Sequence, residues 1–182
     1  DKAVAIYKKI VNSGNGSFDA YRNYFAFISQ IEDNDGSKTT FLKEFSRYFD
    51  NQLASGKESP IEKLDTIFSN LDSSSSYSYD GWAVFKEYHS NLCNDAAWSV
   101  VSIAANSSFI KDAIKWSEYS LIVTKNNPYY LDTLAQLYYK DGQKDKAIAT
   151  QTLAVKYLDT TVDEQTAGDI KDVLAKMQNG TY

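Results

Sequence analysis

The chain holds one histidine and one cysteine, His89 and Cys93. Their spacing would put both on one helical face, where an imidazole could deprotonate a thiol. Three things weigh against that chemistry. A lone cysteine among apolar residues behaves as a small hydrophobe. A turn expected near Asn91 and Asn94 would break the shared face, and no third group is placed to orient the base. One His and one Cys also fall short of the usual zinc ligand set, and a single thiol forms neither an internal disulfide nor a dithiol couple. Asp33-Asn34-Asp35-Gly36-Ser37 resembles the start of a calcium loop. Glu44, however, falls at the wrong count to close one, so a turn between helices explains the segment better. Asn15-Gly16-Ser17, Asn106-Ser107-Ser108 and Asn179-Gly180-Thr181 fit the glycosylation triplet, a weak signal in a chain rich in Asn and Ser. The residues therefore read as non-catalytic, with no cofactor and no metal.

Bulk properties narrow the partners. The chain has 182 residues, of which 43% are hydrophobic and 24% charged, enough to bury a core. A net charge of -5 and a pI near 4.9 argue against nucleic acid or an anionic membrane surface, which require clustered Lys and Arg. No stretch reaches the roughly 20 apolar residues of a membrane span. The opening Asp1-Lys2-Ala3-Val4 lacks the pattern of a signal peptide and an initiating Met, which suggests a processed protein or a piece of a longer one.

Helical periodicity recurs from end to end, with apolar residues three and four apart and turn residues between the periodic segments. Ala3, Ile6, Tyr7 and Ile10 form a first stripe, closed by Asn12 to Gly16. Ser17 is placed to cap a second helix carrying Phe18, Tyr21, Phe25, Ile28 and Ile31. Tyr24 and Phe27 fall off that stripe, so one of them is expected on another contact surface. A longer helix carries Phe41, Leu42, Phe45, Tyr48, Phe49 and Leu53 and stops at Ser55-Gly56. Ser59-Pro60 has the form of an N-cap with Pro at the first helical position. The run Asp72 to Ser76 reads as a mobile loop and the place of weakest packing. Beyond it the pattern predicts helices near 94–106, 109–124, 129–140, 144–157 and 163–178. Convincing period-two alternation is absent, so the fold class is all-α.

An offset of about 34 residues brings Ala113-Ile114 onto Ala147-Ile148, the period of a two-helix tetratricopeptide unit. The second unit is nearly complete, with Leu134-Ala135 and Tyr138, Gly142 in the turn, then Ala147, Ala154 and an end near Asp159. Small side chains are needed where paired helices cross closely, and Gly142 supplies the positive φ that ends the first helix. The first unit is more degenerate. Asn94-Asp95 is placed to cap it, Ala97, Val101 and Ala104 pack it, and Ser107-Ser108 stands where the turn glycine would be. The expectation is a tetratricopeptide-like helical-hairpin solenoid, a right-handed α–α superhelix. Degenerate hairpins over 1–91 would continue it, with two repeats and a capping helix over 92–182.

The segments Asn94-Asp95-Ala96-Ala97-Trp98, Ala113-Ile114-Lys115-Trp116-Ser117, Leu131 to Lys140 and Leu174 to Gly180 carry a more particular likeness. Residues 92–182 resemble the helical C-terminal region of exported Bacteroidetes thioredoxin-family proteins. The resemblance implies export to the periplasm or the outer-membrane surface. It supplies no activity, because the Cys-x-x-Cys domain of those relatives has no counterpart in residues 1–91.

Solenoids of this kind bind extended peptides along the face made by the first helix of each pair. Those positions are Asp95, Trp98, Ser102 and Asn106 in one unit and Tyr129, Asp132, Gln136, Tyr139 and Lys140 in the next. The bland alternative is that Trp98 and Tyr129 merely pack against a neighbouring hairpin. Two functions follow as expectations: a protein- or peptide-binding scaffold, or a structural appendage that orients a neighbouring thiol-disulfide oxidoreductase domain or mediates self-association.

Overall fold

The computed structural model describes residues 2–13 and 17–182, and every regular element among them is helical. Nine α-helices follow one another among the described residues: α1 Lys2–Asn12, α2 Phe18–Ile28, α3 Thr39–Tyr48, α4 Pro60–Ser69, α5 Ser76–Ser102, α6 Ile110–Val123, α7 Pro128–Lys140, α8 Lys144–Lys156 and α9 Glu164–Asn179. The turn expected over Asn12 to Gly16, and with it the Asn15-Gly16-Ser17 triplet, falls largely outside the described residues. The chain divides into two compact units at Tyr88 and His89.

The first unit is held by aromatic rings. Phe25 lies edge-on to Phe41, Phe45 and Tyr48 with centroids 6.2, 5.8 and 5.1 Å apart, which joins α2 to α3. Phe85 of α5, just beyond the Gly81 kink, meets Tyr77 at 5.0 Å and Phe68 of α4 at 5.4 Å. The expected caps are present. Ser17 accepts from the Ala20 amide at 3.2 Å. Ser59 and Glu62 form a reciprocal capping box, with Pro60 opening the helix behind it. Tyr24 is buried, whereas Phe27 stays 43% exposed and packs its ring on Tyr7. The long third helix ends early as regular α-helix. It widens into a π-helical turn over Phe49–Leu53, which keeps Phe49 and Leu53 in the core.

One expectation in this unit is corrected. The run after Asp72 is a pinned turn, because Asp19 of α2 accepts hydrogen bonds from the Ser75 hydroxyl at 2.6 Å and from the Ser76 amide at 3.2 Å. Burial pushes the Asp19 carboxyl up, but the bonds from Ser75 and Ser76 and the nearby Arg22 outweigh it and hold the group below its ordinary value. Helix α5 begins just beyond this turn, with Gly81 at φ 87 kinking it before its regular stretch.

In the second unit the helix runs unbroken past Asn91 and Asn94, so the turn expected there, and the capping role for Asn94-Asp95, are both overturned. The reason is the continuous buried stripe His89, Cys93, Ala96, Ala97 and Val100, which gives tertiary packing priority over the local turn preference of Asn. The helix stops at Ser102 instead of near 106, and a 3-10 turn over Ala104–Phe109 leads into α6. Ala104, expected at a packing position, is exposed in that turn.

From α6 onward each helix packs on the next. Ala135, Ala147 and Ala154 are completely buried between α7 and its neighbours, where a larger side chain would force the helices apart. Gly142 adopts φ 81 in the three-residue turn Asp141–Gln143, and the Gln143 amide reaches back to the Tyr138 carbonyl at 2.8 Å. Asn127 caps α7 through its side chain and Asp163 caps α9. Leu131, Ala154 and Ile170 then form a core shared by α7, α8 and α9.

Candidate functional site

A cleft of about 520 Å³ opens within the second unit between α5, α7 and α9. Helix α5 contributes Asn94, Asp95 and Trp98, helix α7 contributes Tyr129, Asp132, Thr133 and Gln136, and helix α9 contributes Thr166, Asp169, Ile170 and Val173. One-turn spacing on each helix sets the wall: Tyr129, Asp132, Thr133 and Gln136 fall three or four apart. The two large rings are not consumed by packing, since Trp98 is 43% and Tyr129 42% exposed.

The floor is polar and buried. Asp132 accepts from the Gln136 amide at 2.7 Å and from the Gln151 amide at 2.6 Å. Burial raises the Asp132 carboxyl above its ordinary value; the bonds from Gln151 and Gln136 oppose this, and the charge on Asp169 adds to it. Asp95, exposed at the rim of the cleft, is also raised, by partial desolvation of its carboxyl. Its carboxylate has no hydrogen bond or ion pair with any described residue, and the Asn94 side-chain oxygen is buried without a partner. Gln136 is itself held from its far end by the Tyr182 hydroxyl, which donates to its carbonyl oxygen at 2.5 Å. The Tyr182 ring in turn stands edge-on to Tyr139 at 5.0 Å, and burial pushes its hydroxyl up to about 12.

Five of the nine residues expected on a binding face, Asp95, Trp98, Tyr129, Asp132 and Gln136, line this cleft together. The other four do not. Ser102 sits at the exposed end of α5, its hydroxyl turned back to the Trp98 carbonyl at 2.9 Å. Asn106 is completely buried in the 3-10 turn and donates to the Ser99 carbonyl at 2.9 Å, so it satisfies the end of α5 and presents nothing outward. Tyr139 packs on Tyr182, and Lys140 is exposed in the last turn of α7 beyond the cleft. The helix break at Ser102 removes the regular face on which Ser102 and Asn106 were placed. The α9 wall went unpredicted because that helix read only as a cap. Thr166, Asp169 and Val173 do recur at helical spacing, the one signal that could have shown it.

Other polar clusters are closed on themselves. The Asp33 segment is a capping turn: Asp33 accepts from the Thr40 amide at 2.8 Å and its hydroxyl at 2.6 Å, which holds the Asp33 carboxyl below its ordinary value. Asp35 accepts from the Ser37 amide at 2.9 Å. A smaller cleft of about 210 Å³ in the first unit is bounded by Glu44 and Arg47, but these pair with each other at 2.8 Å, and Lys8 reaches Glu44 at 3.3 Å. His89 and Cys93 do share a face, contrary to the expected break. Both are completely buried, and burial, with Asp95's charge adding, pushes the thiol well above its usual range. A thiol held protonated is a poor nucleophile. Among the described residues no group of His, Cys, Asp or Glu is arranged to hold a metal, and no helix is long and apolar enough to cross a membrane.

Comparison of the chain with family models, with curated proteins and with solved structures finds no match in any of the three.

Proposed function

We propose that the second unit is a polypeptide-binding module, built as a tetratricopeptide-like stack of helical hairpins, and that the cleft between α5, α7 and α9 is its binding site. The observation that carries this reading is the pair Trp98 and Tyr129, each more than two-fifths exposed beside a polar, buried floor. Exposed rings next to fixed hydrogen-bonding groups are the usual make-up of a contact surface. Rings needed only for inter-helix packing would be covered. The close crossings at Ala135 and Ala147 and the turn at Gly142 support the hairpin-stack reading. The likeness of residues 92–182 to the helical region of exported thioredoxin-family proteins extends the proposal to a periplasmic or outer-surface setting.

Selection from a random displayed-peptide library against the whole chain tests the proposal. Peptides should be enriched on the native chain and lost on a Trp98→Ala/Tyr129→Ala variant of unchanged helicity. Enrichment that survives the double substitution, or no enrichment at all, removes the cleft as a peptide site.

A second reading, self-association, is favoured by Ile122 on α6 and Leu153 on α8, 46% and 42% exposed. Sedimentation at rising concentration decides it, since a chain that stays monomeric at high concentration has no such interface.

A further inference from the structure

We propose that the cleft takes a cationic side chain of its partner, an arginine or lysine of an extended segment, with its charge between Asp95 and Asp132 and its stem against Trp98 and Tyr129. This rests on the peptide-binding reading above and gives it a chemical specificity.

Two of the cleft's donors are held internally. The Thr133 hydroxyl donates to the Tyr129 carbonyl at 3.0 Å, and Gln136 donates to Asp132. The cleft's acceptors are not used up. Among the described residues Asp95 has no hydrogen-bond or ion-pair partner, the Asn94 oxygen is buried without one, and each Asp132 oxygen has accepted a single bond where it can accept two. Asp169 adds a third carboxylate on the α9 wall, where it accepts from the Gln165 amide at 3.0 Å and feels the charge of Lys176, and no Lys or Arg lines the cleft itself to balance Asp95 or Asp132. A surface of unfilled acceptors with net negative charge selects a donor-rich cation and repels a carboxylate or phosphate. The two exposed rings supply the other half of the recognition, since a guanidinium or ammonium is attracted to an indole or phenol face while its methylene stem covers apolar area. Ile170 and Val173 continue that apolar wall.

The cost of burying Asp132 points the same way. Its carboxyl is raised because no positive charge accompanies it into the protein, and an incoming cation would supply that charge. Asp132 would then be held by Gln136 and Gln151 as a preorganised acceptor, already oriented before the partner arrives.

The test uses the whole chain, isotopically labelled, titrated with acetyl-Gly-Arg-Gly-amide, its lysine counterpart and its citrulline counterpart. Citrulline keeps the shape of arginine and removes the charge. The arginine and lysine probes should shift the Trp98 indole N–H, assigned among the chain's 3 tryptophans with a Trp98→Phe variant. The citrulline probe should bind at least about ten-fold more weakly. Asp132→Asn should weaken the arginine probe at least about ten-fold and Asp95→Asn several-fold. Asp95→Asn serves as the safeguard because that side chain makes no internal hydrogen bond to lose. Equal binding of citrulline and arginine at Trp98 overturns the charge specificity and leaves the peptide-binding reading standing. Shifts confined to residues outside the cleft overturn both. Free argininamide binding as tightly as the peptide probes would make the occupant a small amine, and would overturn the assignment to a partner polypeptide.

Discussion

Gln151 of α8 donates through one amide nitrogen both to Asp132 of α7, at 2.6 Å, and to the Ile170 carbonyl of α9, at 3.0 Å. One side chain thus ties three helices together beneath the cleft, while its own oxygen is buried without a partner. The carboxylate it holds is buried and carries no counter-charge, so the two obvious replacements of Asp132 should act in opposite directions. Asp132→Ala strands the Gln151 and Gln136 amides and is expected to destabilise by about 2–4 kcal/mol. Asp132→Asn removes the desolvated charge and keeps an acceptor for Gln151, with a flip of the Gln136 amide accommodating its new N–H groups. It should be neutral or stabilising by up to about 1 kcal/mol. Urea unfolding of the two variants measures both signs, and a loss of equal size in each would show that the charge itself is required.

The same carboxyl sets a pH signature. A folded-state value above the unfolded one means that the folded chain binds the proton more tightly. This contribution to stability is therefore fully present below the ordinary carboxylate value and is lost as pH rises through the raised one. Asp95 contributes in the same direction. Asp33 and Asp19, held low, act oppositely and lose their contribution as pH falls through their depressed values. Subtracting the Asp132→Asn stability curve from that of the native chain isolates the Asp132 part. The difference should decline with rising pH across the weakly acidic range and flatten towards neutrality; a flat difference throughout contradicts the buried, unbalanced charge.

Cys93 offers a check on the core. Completely buried and with its thiol pushed well up, it should resist alkylation in the native chain for as long as the second unit stays folded. Labelling should follow global unfolding when urea is titrated. Fast labelling in native buffer would mean that the face shared with His89 opens to solvent.

The hairpin between α7 and α8 is sensitive at two small residues for different reasons. Ala147 is completely buried between helices, so Ala147→Leu must displace a packed neighbour and should cost about 1–3 kcal/mol. At Gly142 an added Cβ meets nothing within 4 Å, but φ is 81, so Gly142→Ala should cost about 1–2 kcal/mol through backbone strain alone. Thermal unfolding of the two variants separates them. An unchanged midpoint for Ala147→Leu would mean that the helices do not cross closely there.

What the sequence revealed and what it hid follow one physical line. Periodicity and capping chemistry are local, so Ser17, Ser59-Pro60, Gly142 and the helical character of each segment were readable from neighbours a few residues away. The same spacing brought Asp95, Trp98, Tyr129, Asp132 and Gln136 to one face. The failures were decided by distant partners. Asn91 and Asn94 look like turn residues, yet the buried stripe from His89 to Val100 carries the helix through them. The serines after Asp72 look unstructured, yet Asp19, far away in sequence, pins them. Asn106 looked like a surface amide because nothing local shows that it will cap the Ser99 carbonyl. The α9 wall is a matter of tertiary placement, which spacing within one helix does not encode.

The central claim, that the cleft recognises a positive charge through Asp132, is tested most directly by isothermal titration of one arginine-containing selected peptide against the native chain and the Asp132→Asn variant. The account predicts affinity at least about ten-fold lower in the variant, a loss of 1.4 kcal/mol or more, with unfolding stability equal or higher. Undiminished affinity in a variant that folds normally would contradict it.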